Sequence, residues 1–284
     1  MTILTIAFDG LAYGMLLFVL ASGLAVTMGL MNFVNLAHGA FAMAGGYVAV
    51  VLTTHMGVPF LVALPLVFLV TALIGAFLER TLYVHLYKRT HLDQVLFSIG
   101  LVFMSIVAVD YMMGSQQQFV KLPSYFQGRF DVFGVGIGRY RFFLIVFCGL
   151  LTLVLQTILA KTRFGSQLRA AVDDQRVARG LGINVSMVFA LTFAVGSGLA
   201  GVGGALGAEI LGLDPSFPLK FMIYFLIVVT VGGTSSITGP FTASLLLGIA
   251  DVAGKYYVPQ VGAFIIYTLM IVILILRPQG LFTR

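Results

Sequence analysis

The chain has 284 residues, of which 60% are hydrophobic and only 9% charged, with a mean hydropathy of +1.07. A soluble domain carries about a quarter charged residues to cover its wet surface, so this composition excludes one and places most of the mass in lipid. The formal charge of +6 does not point to nucleic acid, because the basic residues sit beside the ends of apolar runs, where they set orientation in a membrane.

Several apolar runs reach the roughly 20 residues a helix needs to cross the hydrocarbon core, and none shows the short alternation of a β-barrel strand. The expected fold is all-α: a polytopic transmembrane helical bundle with two discontinuous helical segments, formed by residues 1–284 as a single domain. The spans are predicted at about 4–29, 38–55, 58–79, 93–113, 141–160, 188–211, 217–232, 238–253 and 261–276. The first run starts almost at Met1 with no basic n-region and reads as a retained span. Gly10 and Gly14 form a G-x-x-x-G step within it, which suits close helix packing inside the chain, with a dimer seam as the second reading.

Residues 29–39 interrupt the first apolar stretch with Asn32, Asn35 and His38. Residues 232–240 interrupt a later one with Thr234, Ser235, Ser236 and Thr238 among glycines and a proline. Each break is followed by an apolar helix, a short polar loop and a span ending in a basic residue, Arg80 or Arg277, which suggests a weak internal repeat. Paired interruptions of this kind point to a transport path, because bare backbone at membrane depth needs protein or a water-filled cavity to satisfy it. The alternative is a tight turn between two spans at the membrane surface.

Three stretches carry most of the charge. Residues 79–93 include Arg80, Lys88 and Arg89; residues 114–141 hold Lys121, Arg129, Arg139 and Arg141; residues 161–186 hold Lys161, Arg163, Arg169, Arg176 and Arg179. Alternation puts the first and third on one side with Arg277 and Arg284, and the positive-inside rule makes that side the cytoplasm. The N-terminus is then outside, and the basic residues of the second stretch run against the rule. Within 161–184, Leu168, Ala171, Val172, Val177 and Ala178 form an apolar stripe between charges, as on a surface helix that docks a partner or lies along the membrane. A plain amphipathic connector is the alternative. Further on, Gly203 and Gly207 make a second close-packing step. Cys148 has no partner in the chain and reads as a small core residue.

Chemistry is sparse. The phosphate-binding pattern Gly-x4-Gly-Lys-Ser/Thr is absent, and Gly233-Thr-Ser-Ser-Ile-Thr-Gly239 lacks its lysine. No His-Glu-x-x-His pair exists for zinc, and the four histidines, His38, His55, His85 and His91, all lie in the first third. Asp9, Asp110, Glu209 and Asp251 fall near span ends, where water reaches them. An ion-driven carrier needs a carboxylate at mid-depth, so the energy for transport is expected from elsewhere, though a self-contained channel or secondary transporter remains the different-class reading.

Met31-Asn-Phe-Val-Asn-Leu-Ala-His-Gly39, followed by Gly45-Gly-Tyr47, resembles the signature of the branched-chain amino-acid ABC transporter permeases. Thr162-Arg-Phe-Gly-Ser-Gln-Leu-Arg-Ala-Ala171 with Leu181-Gly-Ile-Asn184, Gly232-Gly-Thr-Ser-Ser-Ile-Thr-Gly-Pro240 and Arg277-Pro-Gln-Gly-Leu-Phe282 match the same family in order. The likeness runs nearly end to end and is nearest the shorter of the family's two permease subunits. It implies a non-enzymatic subunit of a bacterial inner-membrane importer for amino acids such as Leu, Ile and Val, with urea or short amides as the alternative substrates. It also implies the partners: a second permease, two cytoplasmic ATPase subunits that bind ATP and Mg, an extracytoplasmic binding protein and membrane lipid. The segment 161–187 then becomes the ATPase coupling element, with Arg163, Phe164, Gly165, Leu168, Arg169, Asp173 and Asp174 at its centre. The two breaks become path elements.

Overall fold

The apolar runs fold as helices whose bounds lie within a few residues of the predicted spans. In the computed structural model, which describes residues 2–31, 33–87, 89–132, 135–233, 237–278 and 280–281, these are α1 (Thr2–Met31), α2 (His38–Val50), α3 (Phe60–Thr81), α4 (His91–Met113), α5 (Arg139–Lys161), α8 (Val185–Leu211), α9 (Phe217–Gly232), α10 (Thr238–Tyr257) and α11 (Gly262–Leu276). A π-helical turn, Val51–His55, extends α2. Between α5 and α8 lie two short helices, α6 (Arg163–Asp173) and α7 (Gln175–Gly180).

A helix that is apolar on every side has no surface to prefer and goes to the centre. α2 is such a helix: all its residues but Ala44 and Val48 are buried, among α3, α8 and α9. α8 is its main neighbour and also touches α1, α3 and α6. Close approach is possible because glycines face each other. A Cβ on Gly14 of α1 would lie 2.7 Å from the Ser244 carbonyl of α10, and one on Gly248 of α10 would lie 2.5 Å from the Cα of Gly14. A Cβ on Gly196 of α8 would stand 3.2 Å from the Cα of Gly23. These small residues are thus spent on packing within the chain, where backbones meet without side chains between them.

The outer helices turn their apolar faces outward. Leu73 and Phe77 of α3, Phe103 and Met104 of α4, and Leu150 and Leu153 of α5 are all exposed. Such a belt is an aggregation hazard in water and a natural surface in lipid. Among the described residues, five helices, α1, α3, α4, α5 and α8, are long and apolar enough to cross a membrane by length and composition.

Contacts sort the helix ends into two sets. At one end, the Asp9 carboxylate of α1 pairs with Arg141 of α5. Within residues 114–138, β1 (Arg129–Val132) and β2 (Val135–Gly138) pair antiparallel there, with Arg129 opposite Gly138. Gln118 pairs with Leu213 through both backbone groups, at 2.7 and 3.2 Å, tying this stretch to the α8–α9 loop. At the other end, Arg80 of α3 donates to Ser186 Oγ of α8 at 2.8 Å, and the Leu281 N–H reaches the Val231 carbonyl of α9 at 2.8 Å. The N-terminal end of α1 therefore shares an end with residues 114–141, and α6, α7 and the C-terminal tail share the other.

Candidate functional site

The first break turns back into the protein. His38 opens α2 with its ring against Gly23 of α1, where a Cβ would collide with it, about 12 Å along α1 from its end. Asn35 and His38 are buried, and the break is stapled by side chains. Asn35, 1% exposed, accepts from the Ala37 N–H at 3.1 Å and from the Tyr83 hydroxyl at 3.0 Å through Oδ1. The Val34 N–H donates to Gln94 Oε1 of α4 at 3.2 Å, and the Phe33 N–H to the Thr27 carbonyl at 3.1 Å. Protein thus satisfies this backbone, one of the two ways expected. The polar atom left over is His38 Nε2, buried and without a hydrogen-bond partner among the described residues.

Aromatic rings hold the staple in place. Tyr83 stacks obliquely on Phe193 of α8 at 4.5 Å between centroids and meets Phe33 and Phe97 edge-on. Tyr87 donates to Glu79 Oε1 at 2.8 Å. Burial pushes the pKa of both hydroxyls above the ordinary tyrosine value, so both stay protonated and donate. Gln94, Tyr83, Tyr87 and Glu79 were not among the predicted site residues. The available signal was the pair Tyr83 and Tyr87 beside a capping box, Thr90 with Asp93, which places Gln94 on the first turn of α4 facing them.

The second break begins at the end of α9. Gly232 ends α9 directly against α10: its Cβ would lie 2.5 Å from the Gly239 carbonyl carbon and the Pro240 Cα. Gly233 follows at φ 87°, a conformation glycine adopts without strain. Thr238 is exposed in the first turn of α10. Asn32, Thr234, Ser235 and Ser236 lie outside the described residues. Of the predicted path residues, Asn35 and His38 are brought together and turned inward.

The α6–α7 segment corrects the expected use of its apolar stripe. Thr162 caps α6 and Asp174 caps α7, the latter accepting from the Arg176 and Val177 N–H groups at 2.7 and 3.0 Å. Leu168, Ala171 and Ala178 are buried against the chain's own helices, because α6 folds back on α5 and α8. Gly165 has no room for a Cβ beside the Leu159 carbonyl, and Arg169 Nη1 donates to that carbonyl at 2.5 Å, a cation on the exposed end of α5. Leu168 therefore faces inward, Phe164 is half-buried, and Arg169 braces α5. The outward face is formed by Arg163, Asp173, Asp174 and Arg176 with the exposed apolar Val177 and Leu181.

At the opposite end, Lys121, Arg129, Arg139 and Arg141 gather round one cleft of about 760 Å³ with Asp9 and Glu209. The basic residues of this stretch thus share one cleft with two carboxylates. A second cleft of about 540 Å³ adjoins it and reaches Asp251. Asp251 was expected within reach of water; it is 1% exposed, because α10 turns it toward α1 and α9. Among the described residues, no group of three His, Cys, Asp or Glu side chains is placed to hold a metal ion.

A central buried helix, an outward apolar belt and charged clefts at the ends define a polytopic membrane protein. The solved structure of PsaBC from Streptococcus pneumoniae in complex with Fab shares the fold, with a TM-score of 0.54 at 12% identity over 95% of this chain and 91% of that one. Residues 6–274 match the family described as the branched-chain amino acid transport system permease component. The chain belongs to that family, whose members are ABC transporter permeases and not enzymes. It is 29% identical to the high-affinity branched-chain amino acid transport system permease protein BraD of Pseudomonas aeruginosa, over 97% of this chain and 94% of BraD. It is 28% identical to LivH of Escherichia coli over 98% and 94%. Against LivM of Salmonella typhimurium it is 26% identical and covers only 68% of that protein, so the likeness to the shorter subunit holds.

Proposed function

We propose that this chain is a membrane-spanning subunit of an ATP-driven importer for branched-chain amino acids. It would work beside a second permease, two cytoplasmic ATPase subunits and an extracytoplasmic binding protein, in a bacterial inner membrane. The observation that carries the reading is the α6–α7 segment: two capped helices braced on α5 and α8, with charges and two bare apolar side chains facing away from the bundle. Such a surface transmits force only if it is rigidly mounted, and Gly165, Leu168 and Arg169 supply the mounting. In this reading the α6–α7 end and the C-terminus are cytoplasmic, and the N-terminus is outside. Val177→Glu and Leu181→Glu should separate ATP hydrolysis from uptake with the protein still folded and inserted, measured as labelled L-leucine entering proteoliposomes that hold the complete complex. Leucine entry through this chain alone, without ATPase or ATP, would instead establish a channel or secondary carrier.

The breaks are assigned to the path on a second ground. His38 Nε2, dry and unpartnered among the described residues, makes this arrangement costly to keep, and hydration in another stage of the cycle would relieve it. Asn35→Cys should resist aqueous thiol reagents in the nucleotide-free complex and react when ATP binds. A cysteine there that is silent in both states returns Asn35 and His38 to plain helix packing.

A further inference from the structure

Away from both breaks, one more charged group lies where a span carries a heavy cost for it. Asp251 sits on α10 about 9 Å from the Tyr257 end of that helix, with its side chain 1% exposed. Oδ2 accepts from the Lys255 ammonium at 2.6 Å, one turn further on. Oδ1 has no donor among the described residues. A carboxylate needs donors at both oxygens when water is removed, and an ionisable residue inside a span is costly to keep without a use.

The surroundings indicate the use. Asp251 borders the cleft of about 540 Å³ between α1, α9, α10 and α11, within the roughly 300–1,000 Å³ of small-molecule sites. Its walls include the rings of Tyr13, Phe221, Tyr224 and Tyr267. Lys255 is half exposed, and its ammonium stands 5.7 Å from the centre of the Tyr13 ring. One buried anion with an empty acceptor, one half-exposed cation beside it and an aromatic wall are the three contacts an amino acid offers in reverse.

We propose that this cleft binds a zwitterionic amino acid with an apolar side chain, its ammonium on Asp251 Oδ1, its carboxylate on Lys255 and its side chain against Phe221 and Tyr224. This deepens the amino-acid importer reading and rests on it. Lys255 lifts from Oδ2 to meet the carboxylate and opens Asp251 to the ammonium. Charge favours this class of ligand: at the cleft Asp251 pairs with Lys255 and Asp9 with Arg141, Lys220 pairs with Asp214, and a zwitterion laid against them adds no net charge. A ligand with one net charge would leave an unpaired ion at low dielectric, and urea offers no ion to either group. The cleft adjoins the basic one at the Arg141 end, so it would act as the entry station.

The test uses the complete transporter complex carrying Val252→Cys, at the cleft wall; the native Cys148 is buried. Labelling by a water-soluble maleimide is followed in phosphatidylglycerol vesicles, which supply no lipid ammonium. Millimolar L-leucine should slow labelling at least fivefold, while isoamylamine and 4-methylpentanoate, each lacking one charge, should not. Asp251→Asn should abolish the protection and raise the KM for L-leucine uptake at least tenfold. Labelling indifferent to L-leucine overturns the proposal even if Asp251→Asn fails to fold. Protection by added phosphatidylethanolamine alone assigns the cleft to a lipid headgroup and overturns it too. So does normal uptake in the exchanged pair Asp251→Lys with Lys255→Asp, since only a plain ion pair survives reversal. Protection by L-leucine in a complex that does not transport it would keep the site and reject the importer reading.

Discussion

The two breaks in the helical pattern stand at matching positions and have different constructions. The first turns back about 12 Å along α1 and is held from outside, by Gln94 on its backbone and by Tyr83 on Asn35. At the second, α9 and α10 meet backbone to backbone at Gly232 and Pro240, and the C-terminal tail is bonded to Val231. Glycine content alone does not separate them. What separates them, among the described residues, is whether distant side chains bond the break or two helix ends meet backbone to backbone beside it. A break built the first way depends on several helices being in place, and is the one a movement among helices would disturb.

Four substitutions bear on that difference. Gly232→Val should have the largest effect, because its side chain meets backbone that cannot yield; overpacking of this kind costs about 1–3 kcal/mol or more, read as loss of membrane-inserted, detergent-stable protein. Gln94→Leu should follow at about 2 kcal/mol, since it leaves the Val34 N–H buried without a partner; a lowered thermal midpoint with normal insertion would check it. Gly280→Ala should cost about 1–2 kcal/mol, as Gly280 stands at φ 89°, a region disfavoured for side chains. Its effect should show as freer proteolysis of the tail with the first break unaffected. Tyr83→Phe should be mildest, at about 1 kcal/mol for one hydrogen bond, because the ring keeps its contacts with Phe33, Phe97 and Phe193. If Gln94→Leu proved neutral while Gly280→Ala disturbed both breaks, the contrast between side-chain and backbone support would collapse.

The helices and their approximate ends were legible from residue type alone, because lipid demands continuous apolar runs with internally bonded backbone. The family was legible too, since its motifs are short and local. The facing of side chains was not. Leu168 looked like a docking residue because a stripe on α6 is apolar whichever way it points, and only the fold of α6 onto α5 and α8 turned it inward. Asp251 looked wet from its place near a span end, and only the packing of α10 against α1 sealed it.

The sequence by itself determined that this is a membrane-embedded helical bundle, where its spans run, and that it carries no ATP-binding pattern of its own, because each of these depends on composition within one segment. The tertiary structure decided which polar groups are partnered. Tyr83 lies 48 residues from Asn35 and Gln94 lies 60 from Val34, and such pairs exist only once helices distant in sequence have packed side by side.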